Sequence, residues 1–225
     1  MLKTILLDVD GTLIDSNDAH ARAWVDALEE AGFEPHYVSI RKRIGMGGDH
    51  LLPNVTGVDI EEEEGKAISK RRGEIFRSKY LPKLKAFPQT RELLLRLKEE
   101  GHPMVIATSA SKKDLQALLE QAGLADLDID ATTADDADAS KPEPDIIFAA
   151  LEKAGVKAED AVMLGDTPYD VAAAEKAGVP TIGFTCGGWM KDDLKPAIAV
   201  YEGPMDLLMN LEESPLAAGT KRKAS

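Results

Sequence analysis

The stretch Leu6-Leu7-Asp8-Val9-Asp10-Gly11-Thr12-Leu13 ends an apolar run that predicts a buried strand over residues 3–9. In a strand, residues two apart point the same way, so the carboxylates of Asp8 and Asp10 should face one side of its end. Two like charges there repel each other unless a cation lies between them or one carboxyl keeps a proton. Gly11 allows the sharp turn that follows. An acidic turn without a site is the simpler alternative.

The composition suits a globular protein that buries a core. Of 225 residues, 44% are hydrophobic and 30% are charged, which is ordinary for such a protein. The formal net charge of −13 argues against nucleic acid as a partner. It also means that an anionic substrate needs a local cation or basic side chains.

Cysteine content and hydropathy narrow the setting. Cys186 is the single cysteine, which excludes an internal disulfide and fits a reducing compartment. No apolar run approaches the length of a membrane span, and the first residues lead directly into a strand without a signal peptide. We therefore expect a cytoplasmic monomer or small homo-oligomer with no membrane or nucleic-acid partner.

Strands and helices alternate along most of the chain. Strands are predicted at 3–9, 104–108, 128–133, 161–165, 181–184 and 198–201, and helices at 89–100, 112–122, 144–154, 168–177 and 204–211. Ser111 and Asp114 have the spacing of a capping box at the start of helix 112–122. Such alternation predicts an α/β fold with a parallel sheet covered on both faces.

One long block interrupts this alternation. Residues 15–87 contain only helical patterns, including a charged helix over about 60–80 that opens with four glutamates, which we interpret as a solvated face. We expect an α/β catalytic core made of 1–14 and 88–225, with 15–87 as a helical cap. An insert that leaves directly after the paired aspartates is well placed to act as a lid. Residues 212–225 are expected to form a flexible tail.

Polar residues also lie at three further places at the carboxyl ends of the predicted strands or in the loops after them. This is the edge at which open parallel sheets bind ligands. Thr108 and Ser109 lie at the end of the strand that begins at residue 104 and suit an anion such as phosphate, although a plain turn is an equal alternative. Lys141 lies between stiffening prolines and could bind an oxyanion, although a lone loop lysine is usually just solvated. Asp166 follows strand 161–165, and Asp170 falls in the first turn of the next helix, where an acid also suits the helix dipole.

Three acidic residues at one edge, Asp8, Asp10 and Asp166, suit Mg²⁺, a hard ion that prefers oxygen ligands. No set of histidines and cysteines has zinc-like spacing. A charge pair at ~4 Å is worth roughly 4 kcal/mol at an effective dielectric constant near 20, so a phosphate dianion beside Asp8 and Asp10 needs a metal ion and Lys141.

The stretch from Asp8 to Ser16 resembles the first motif, DxDGTLxDS, of the haloacid dehalogenase superfamily. Thr108, Lys141 and Gly165-Asp166 are similar to its other motifs, in the same order, across essentially the whole chain. Within the superfamily, the chain resembles the branch of phosphoglycolate phosphatases and β-phosphoglucomutases. The resemblance implies a Rossmann-like core with a helical cap and a Mg²⁺-dependent phosphatase acting on a small phosphomonoester.

The resemblance also implies residue roles. Asp8 is the nucleophile that forms an aspartyl-phosphate, and Asp10 is the general acid and base. The metal is held by the Asp8 carboxylate, the Asp10 backbone carbonyl and Asp166, with Asp170 behind them. The transferring phosphoryl group is bound by Thr108, Ser109 and Lys141.

Two alternatives remain open. The segment His20-Ala21-Arg22-Ala23-Trp24 resembles the mutase branch, but Gly165-Asp166 stands where mutases usually carry Glu-Asp, and residues 43–50 lack their Lys-Gly-x-Ser-Arg loop. A phosphatase is therefore favoured over a mutase. The other alternative is a protein of another class, a phospho-ligand-binding regulator without catalysis. The sequence speaks against it because every residue that the chemistry needs is present.

Candidates for substrate recognition in the cap are His20, Arg43, Asp49 and His50. The stretch Gly187-Gly188-Trp189 is a loop of undetermined role.

Overall fold

The computed structural model describes residues 2–137 and 139–217. Its centre is a sheet of six parallel strands in the order β3-β2-β1-β4-β5-β6. The strands are β1 (Thr4–Leu7), β2 (Met104–Ala107), β3 (Asp130–Thr132), β4 (Ala161–Gly165), β5 (Thr181–Phe184) and β6 (Ala199–Tyr201). This arrangement confirms the predicted α/β fold with a Rossmann-like parallel sheet.

Helices account for the remaining labelled elements. Five lie between β1 and β2: α1 (Asn17–Glu30), α2 (Tyr37–Arg41), α3 (Gly48–Thr56), α4 (Glu63–Ile75) and α5 (Thr90–Glu99). The later ones alternate with or follow the strands: α6 (Lys112–Ala122), α7 (Asp145–Ala154), α8 (Pro168–Lys176) and α9 (Pro204–Met209).

Strand β1 is the centre of the sheet because both of its faces are covered. All four residues are buried, and Leu6 pairs in register with Val105 of β2 and Met163 of β4. Ile5 and Leu7 pack into the apolar cluster on one face, and Leu6 packs into the cluster on the other. A strand buried on both faces reads as a continuous apolar run, which is the pattern that predicted it.

The order of the strands reverses at β1, which has β2 on one side and β4 on the other. A reversal of this kind opens a crevice at the carboxyl ends of the neighbouring strands. Asp8 follows β1 and Asp166 follows β4, so both carboxylates lie at this crevice. The fold therefore positions a site at the edge that the sequence predicted.

The charged helix predicted over residues 60–80 is divided in the structure. The α-helix starts only at Glu63, because the Asp59 carboxylate accepts the Glu61 N–H at 2.9 Å in the turn before it. From Phe76 the chain changes to a π-helical turn, Phe76–Tyr80. Such turns shift the side chains that follow relative to a regular helix.

The predicted capping box of α6 is half present. The Ser111 hydroxyl accepts the Asp114 N–H at 3.2 Å, as expected. The carboxylate of Asp114 does not return to Ser111 but lies 2.5 Å from Arg77 and 3.6 Å from Arg72. A tertiary ion pair to charged donors therefore replaces the local reciprocal bond.

The first residues of the tail predicted over 212–225 are packed against the protein and are not flexible chain. Leu211–Glu213 form a 3-10 turn, and Ser214 and Leu216 are buried against the core. The rest of the expected tail, residues 218–225, lies outside the described residues. In the ranges described, no helix has the length and apolar character needed to cross a membrane.

Candidate active site

The ammonium of Lys141 lies at the centre of the crevice. The side chain is fully buried, with Nζ 2.6 Å from Asp8 Oδ1 and 2.7 Å from Asp170 Oδ1. It also donates to the carbonyl of Ala107 at the end of β2, at 2.9 Å. Burial alone would lower the pKa of Lys141, but the two carboxylates hold it above its ordinary value. All three donors of the ammonium are therefore engaged.

Thr12 lies between two of the acids. Its Oγ1 is 3.1 Å from Asp8 Oδ2 and 3.0 Å from Asp166 Oδ1. One hydroxyl carries one proton, so it can donate to only one of the two carboxylates at a time. Asn17, at the start of α1, donates to the other oxygen of Asp166 at 2.8 Å and to the carbonyl of Gly187 at 3.1 Å.

The acids of this cluster resist ionisation. Burial raises the pKa of Asp8 to about 7, against the opposing effect of Lys141, and Asp170 adds to the rise. Burial and the neighbouring carboxylates Asp170 and Asp8 raise the pKa of Asp166 well above its ordinary value. These directions are the ones that buried like charges produce when too few cations accompany them.

Asp10 lies in a different environment. Its Oδ1 is 2.8 Å from Nε2 of His20, on α1, and 2.5 Å from the hydroxyl of Ser16, the last residue of the first motif. Burial would raise the pKa of Asp10, but His20, Ser16 and the more distant Arg72 together lower it. The His20 ring is held in turn by stacking on Phe76, with centroids 4.0 Å apart and an interplanar angle of 12°. The two aspartates of the motif thus have different partners and opposite pKa shifts.

Thr108 and Ser109 lie where the sequence predicted an anion site. Thr108 is buried, and its hydroxyl accepts the N–H of Ala110 at 3.1 Å, which orders the turn after β2. The hydroxyl of Ser109 is buried without a hydrogen-bond partner among the described residues. A buried hydroxyl without a partner is costly unless a ligand completes it.

A cavity of ≈ 70 Å³ joins these groups to the helical segment. It is small beside the roughly 300–1,000 Å³ of pockets that take drug-sized ligands. Its sheet-side lining comprises Asp8, Asp10, Thr108, Ser109, Ala110 and Asp114, and its other wall comprises His20, Trp24, Ile44, Gly45, Met46, Gly47, Gly48 and Arg72.

The side chain of Asp170 caps helix α8 and packs closely against Gly165. The Asp170 carboxylate accepts the N–H and the hydroxyl of Thr167, at 3.0 and 2.7 Å, which completes a capping box at the start of α8. Its side chain packs so closely on β4 that a Cβ at Gly165 would lie 2.5 Å from the Cβ of Asp170. The glycine found where mutases usually carry glutamate is therefore required by the packing of Asp170. Helix capping, the simpler role predicted for Asp170, uses its Oδ2, whereas its Oδ1 lies 2.7 Å from Lys141 Nζ.

The acidic cluster fits a divalent cation. Carboxylate oxygens of Asp8, Asp166 and Asp170 all lie within 4.8 Å of one another, and all three residues are buried. Three carboxylates and the ammonium of Lys141 leave a formal charge of −2 if every group is ionised, which Mg²⁺ would neutralise. The carboxylate of Asp10 is not part of this cluster, so the predicted role of Asp10 toward the metal rests on its backbone carbonyl alone.

The recognition residues predicted in the cap have different surroundings. His20 reaches Asp10, and the Asp49 carboxylate accepts the N–H of Ser140 at 3.1 Å, next to Lys141. His50 lies 3.6 Å from Asp49. Arg43 turns away and donates to the carbonyl and hydroxyl of Ser39 in its own segment.

The loop Gly187-Gly188-Trp189 lies at the margin of the site. The carbonyl of Gly187 accepts from Asn17 and from Arg41 of α2, and the ring of Trp189 packs edge-on against Tyr169. A Cβ at Gly187 would meet Asp166 Oδ2 at 1.7 Å, so only glycine allows this approach.

Three residues of the site were not anticipated from the sequence. Thr12 and Asn17 belong to the turn after β1 and to the start of α1, and Arg72 belongs to the charged helix α4. Thr12 could have been found from its spacing of four residues from Asp8, because a tight turn returns such a residue to the strand end. Nothing in the local pattern distinguishes Arg72 from its basic neighbours.

Comparison with known proteins gives consistent matches. A model of the haloacid dehalogenase-like hydrolases matches residues 5–184. The chain is 30% identical over 229 residues to the "Probable phosphatase IndB" of Dickeya dadantii, covering 96% of this chain and 99% of that protein. It is 30% identical over 195 residues to a phosphoglycolate phosphatase of Rhodospirillum rubrum, covering 83% of this chain and 81% of that one. The crystal structure of a hydrolase from Pseudomonas syringae has a TM-score of 0.88 and 30% identity, covering 94% of this chain and 98% of that one.

The raised pKa of Asp8 predicts a pH-dependent stability in the absence of divalent cations. A carboxyl whose pKa is raised in the folded state contributes its full stabilisation at pH values below its unfolded-state pKa, here 3.8. This stabilisation is lost as the pH rises through the folded-state pKa of about 7. We expect the free energy of unfolding of the wild type, relative to that of Asp8→Asn, to fall between about pH 4 and pH 8 in urea titrations with EDTA. Mg²⁺ added at pH 8 should stabilise the wild type more than Asp8→Asn. A difference that stays constant across this range would contradict the prediction.

Proposed function

Because the chain belongs to the haloacid dehalogenase-like hydrolases, we propose that it is a Mg²⁺-dependent phosphatase that hydrolyses a small phosphomonoester through an aspartyl-phosphate. The observation that carries the proposal is the buried ion pair of Lys141 with Asp8, at 2.6 Å, beside Asp166 and at the wall of the cavity that Asp10 shares. A carboxylate oriented in this way is a ready nucleophile toward phosphorus.

In the first half of the reaction, a carboxylate oxygen of Asp8 forms a bond to phosphorus as the bond from phosphorus to the ester oxygen breaks. Asp10 gives a proton to that leaving oxygen. His20 Nε2 lies 2.8 Å from Asp10 Oδ1, so a proton on this pair can pass to Asp10. Formation of the acyl phosphate removes the negative charge that Asp8 presents to Lys141.

The phosphoryl oxygens would be bound by the predicted residues Thr108, Ser109 and Lys141. The Ser109 hydroxyl supports this role because it lacks a partner among the described residues. The ammonium of Lys141 has its donors on Asp8, Asp170 and the carbonyl of Ala107. Binding a phosphoryl oxygen therefore requires it to share or move the donor that now points at Asp8.

In the second half, Asp10 accepts a proton from water, whose oxygen attacks phosphorus. This step releases phosphate and restores the Asp8 carboxylate. The lowered pKa of Asp10 keeps it ionised, as a base requires, and the contacts with His20 and Ser16 fix its orientation.

The groups proposed to hold Mg²⁺ are the carboxylates of Asp8 and Asp166 and the backbone carbonyl of Asp10. When bound, the ion would offset the charge of the nucleophile and of the phosphoryl oxygens. Asp170 is proposed to act from behind, by orienting Lys141, because its own oxygens are taken by Lys141 and Thr167.

We propose that residues 15–87 act as a cap over the core of 1–14 and 88–225. Contacts join the two parts: Arg77 with Asp114 at 2.5 Å, Ser140 with Asp49 at 3.1 Å, and the hydroxyl of Tyr169 with the carbonyl of Lys42 at 2.7 Å. Closure over a bound phosphoryl group would exclude competing water.

A small substrate is supported by the cavity volume of ≈ 70 Å³. The relative from Rhodospirillum rubrum is named a phosphoglycolate phosphatase, and a compound of that size is compatible with such a cavity. We propose phosphoglycolate or a similarly short phosphomonoester.

A sugar-phosphate mutase is the second candidate, because the segment that brings His20 to Asp10 resembles the mutase branch in sequence. The product separates the two activities. A phosphatase releases phosphate from a sugar phosphate, whereas a mutase isomerises the sugar phosphate with little release. We expect phosphate release, measured by a molybdate assay alongside chromatography of the sugar phosphate. Isomerisation without release would favour the mutase.

Asp8→Asn tests catalysis itself. We expect Mg²⁺-dependent hydrolysis of an aryl phosphate by the wild type and a decrease in kcat of about 10³-fold or more in the variant, because the amide is not a nucleophile. Asp192→Asn is a matched control, since its side chain is 86% exposed. Circular dichroism checks that both variants fold. Absence of activity in the wild type, or a full rate in Asp8→Asn, would favour a non-catalytic regulator.

Asp10→Asn tests the division of roles between the two aspartates. The variant should form the phosphorylated enzyme from an aryl phosphate, whose leaving group needs little protonation, but should hydrolyse it about 10²–10⁴-fold more slowly. We expect a burst of about one aryl alcohol per chain in rapid-mixing experiments. Intact mass spectrometry after acid quenching should detect the added phosphoryl group. A steady rate without a burst, at the wild-type level, would remove Asp10 from the mechanism.

A further inference from the structure

The wall of the cavity opposite Asp8 contains an arginine with unused hydrogen-bonding capacity. Arg72, on α4, is the one lysine or arginine among the described residues that line the cavity. Its side chain is 19% exposed, and the guanidinium lies over the ring of Trp24, 5.3 Å from the centroid. The other charged side chains of the lining are the acids Asp8, Asp10 and Asp114.

The guanidinium of Arg72 makes no hydrogen bond to any side chain or carbonyl in residues 2–137 and 139–217. Its nearest acid, Asp114 Oδ2, is 3.6 Å away, too far for a hydrogen bond. Its Nε is fully buried without a partner among these residues. A guanidinium has five donors in a planar fork, and a buried donor such as this Nε–H is costly when it lacks an acceptor. The arrangement is therefore incomplete without an acceptor in the cavity.

Asp114 pairs more closely with Arg77 than with Arg72, so it does not neutralise the charge of Arg72. Asp114 is buried, and its Oδ1 lies 2.5 Å from Arg77, the closer of its two arginines. Two guanidinium groups and one carboxylate leave one positive charge in this cluster, and the weaker pairing falls on Arg72. Asp114 and Trp24 thus hold the position of Arg72 without neutralising it.

We propose that Arg72 is a specificity-determining residue that binds a carboxylate on the part of the substrate remote from the phosphoryl group. The inference rests on the proposed phosphatase function. A carboxylate has two oxygens that match the fork of a guanidinium, and without Arg72 the acids of the lining would oppose its binding. The cavity of ≈ 70 Å³ restricts the distance between the two anionic groups to a short carbon chain.

The surrounding wall supports an anionic group over a sugar. Apart from His20 and Arg72, the helical wall consists of Trp24, Ile44, Met46 and the glycines 45, 47 and 48, which offer few side-chain partners for sugar hydroxyls. A neutral polyol would leave the guanidinium unpaired, whereas a carboxylate satisfies two of its donors at once.

The test compares two substrates that differ in the remote group. Phosphoglycolate carries a carboxylate, and 2-hydroxyethyl phosphate replaces it with a neutral group of similar size. The measured quantity is the ratio of kcat/KM for the first to kcat/KM for the second. We expect a wild-type ratio well above one and a decrease of about 100-fold in Arg72→Met, the loss of a charge-assisted, two-pronged contact.

Two further variants make the test specific. Arg72→Lys keeps the charge but not the fork, so its ratio should lie between those of the wild type and Arg72→Met. It also serves as the test if Arg72→Met fails to fold. Arg71→Met is the matched control, because Arg71 is adjacent, 48% exposed and bonded to Glu30 outside the cavity. Its ratio should equal that of the wild type.

The possible failures are distinguishable. If the wild type hydrolyses both substrates and the ratio is near one, or is unchanged in both Arg72 variants, the inference is wrong while the phosphatase function stands. If the wild type with Mg²⁺ hydrolyses neither substrate nor an aryl phosphate, the proposed function fails and the inference fails with it.

Discussion

The buried ammonium of Lys141 is the interaction on which the arrangement of the site depends. It joins the ends of three elements, through Asp8 after β1, the carbonyl of Ala107 at the end of β2, and Asp170 at the start of α8. Removing one partner of a buried ion pair leaves an uncompensated charge, which costs several kcal/mol. Lys141 therefore sets the geometry of Asp8 and of the helix start in a single cluster.

Charge accounts for the composition of the rest of the site. The chain has a formal net charge of −13, and three buried carboxylates meet at the crevice, yet the proposed substrate is an anion. Lys141 is buried against Asp8 on the sheet side, and Arg72 lines the helical side of the small cavity that Asp8 also lines. A metal ion held by the acids would add to these cations. Local positive charge against an acidic background would favour the proposed anionic substrate at this site.

The two aspartates of the first motif show how packing separates chemically identical groups. Asp8 is surrounded by acids and has a raised pKa, whereas Asp10 contacts His20 and Ser16 and has a lowered one. Their separation along the chain is two residues, and the difference comes from elements that reach them from elsewhere. His20 arrives from α1 and is held by Phe76 from the π-helical turn after α4. The surroundings of the two carboxylates, rather than their residue type, make their pKa values differ.

Much of the fold and part of the site followed from the sequence. The apolar run of β1, the later strands and their intervening helices were predicted from hydrophobic pattern, because that pattern reflects burial on one or both faces. The meeting of Asp8, Thr108, Lys141 and Asp166 at one edge followed from the parallel sheet alone, since the carboxyl ends of parallel strands lie side by side. The resemblance to a known family added roles to residues already singled out.

The tertiary structure alone decided which side chains face each other across the site. His20 with Asp10, Asn17 with Asp166, and Arg72 with the cavity join residues whose local patterns describe only helix starts and a charged helix. The same holds for Asp114, whose carboxylate leaves the predicted capping box for Arg77. Periodicity reports which face of an element is buried, but not which distant element covers it. Those pairings depend on how the helical segment packs on the sheet, and that packing is a property of the whole chain.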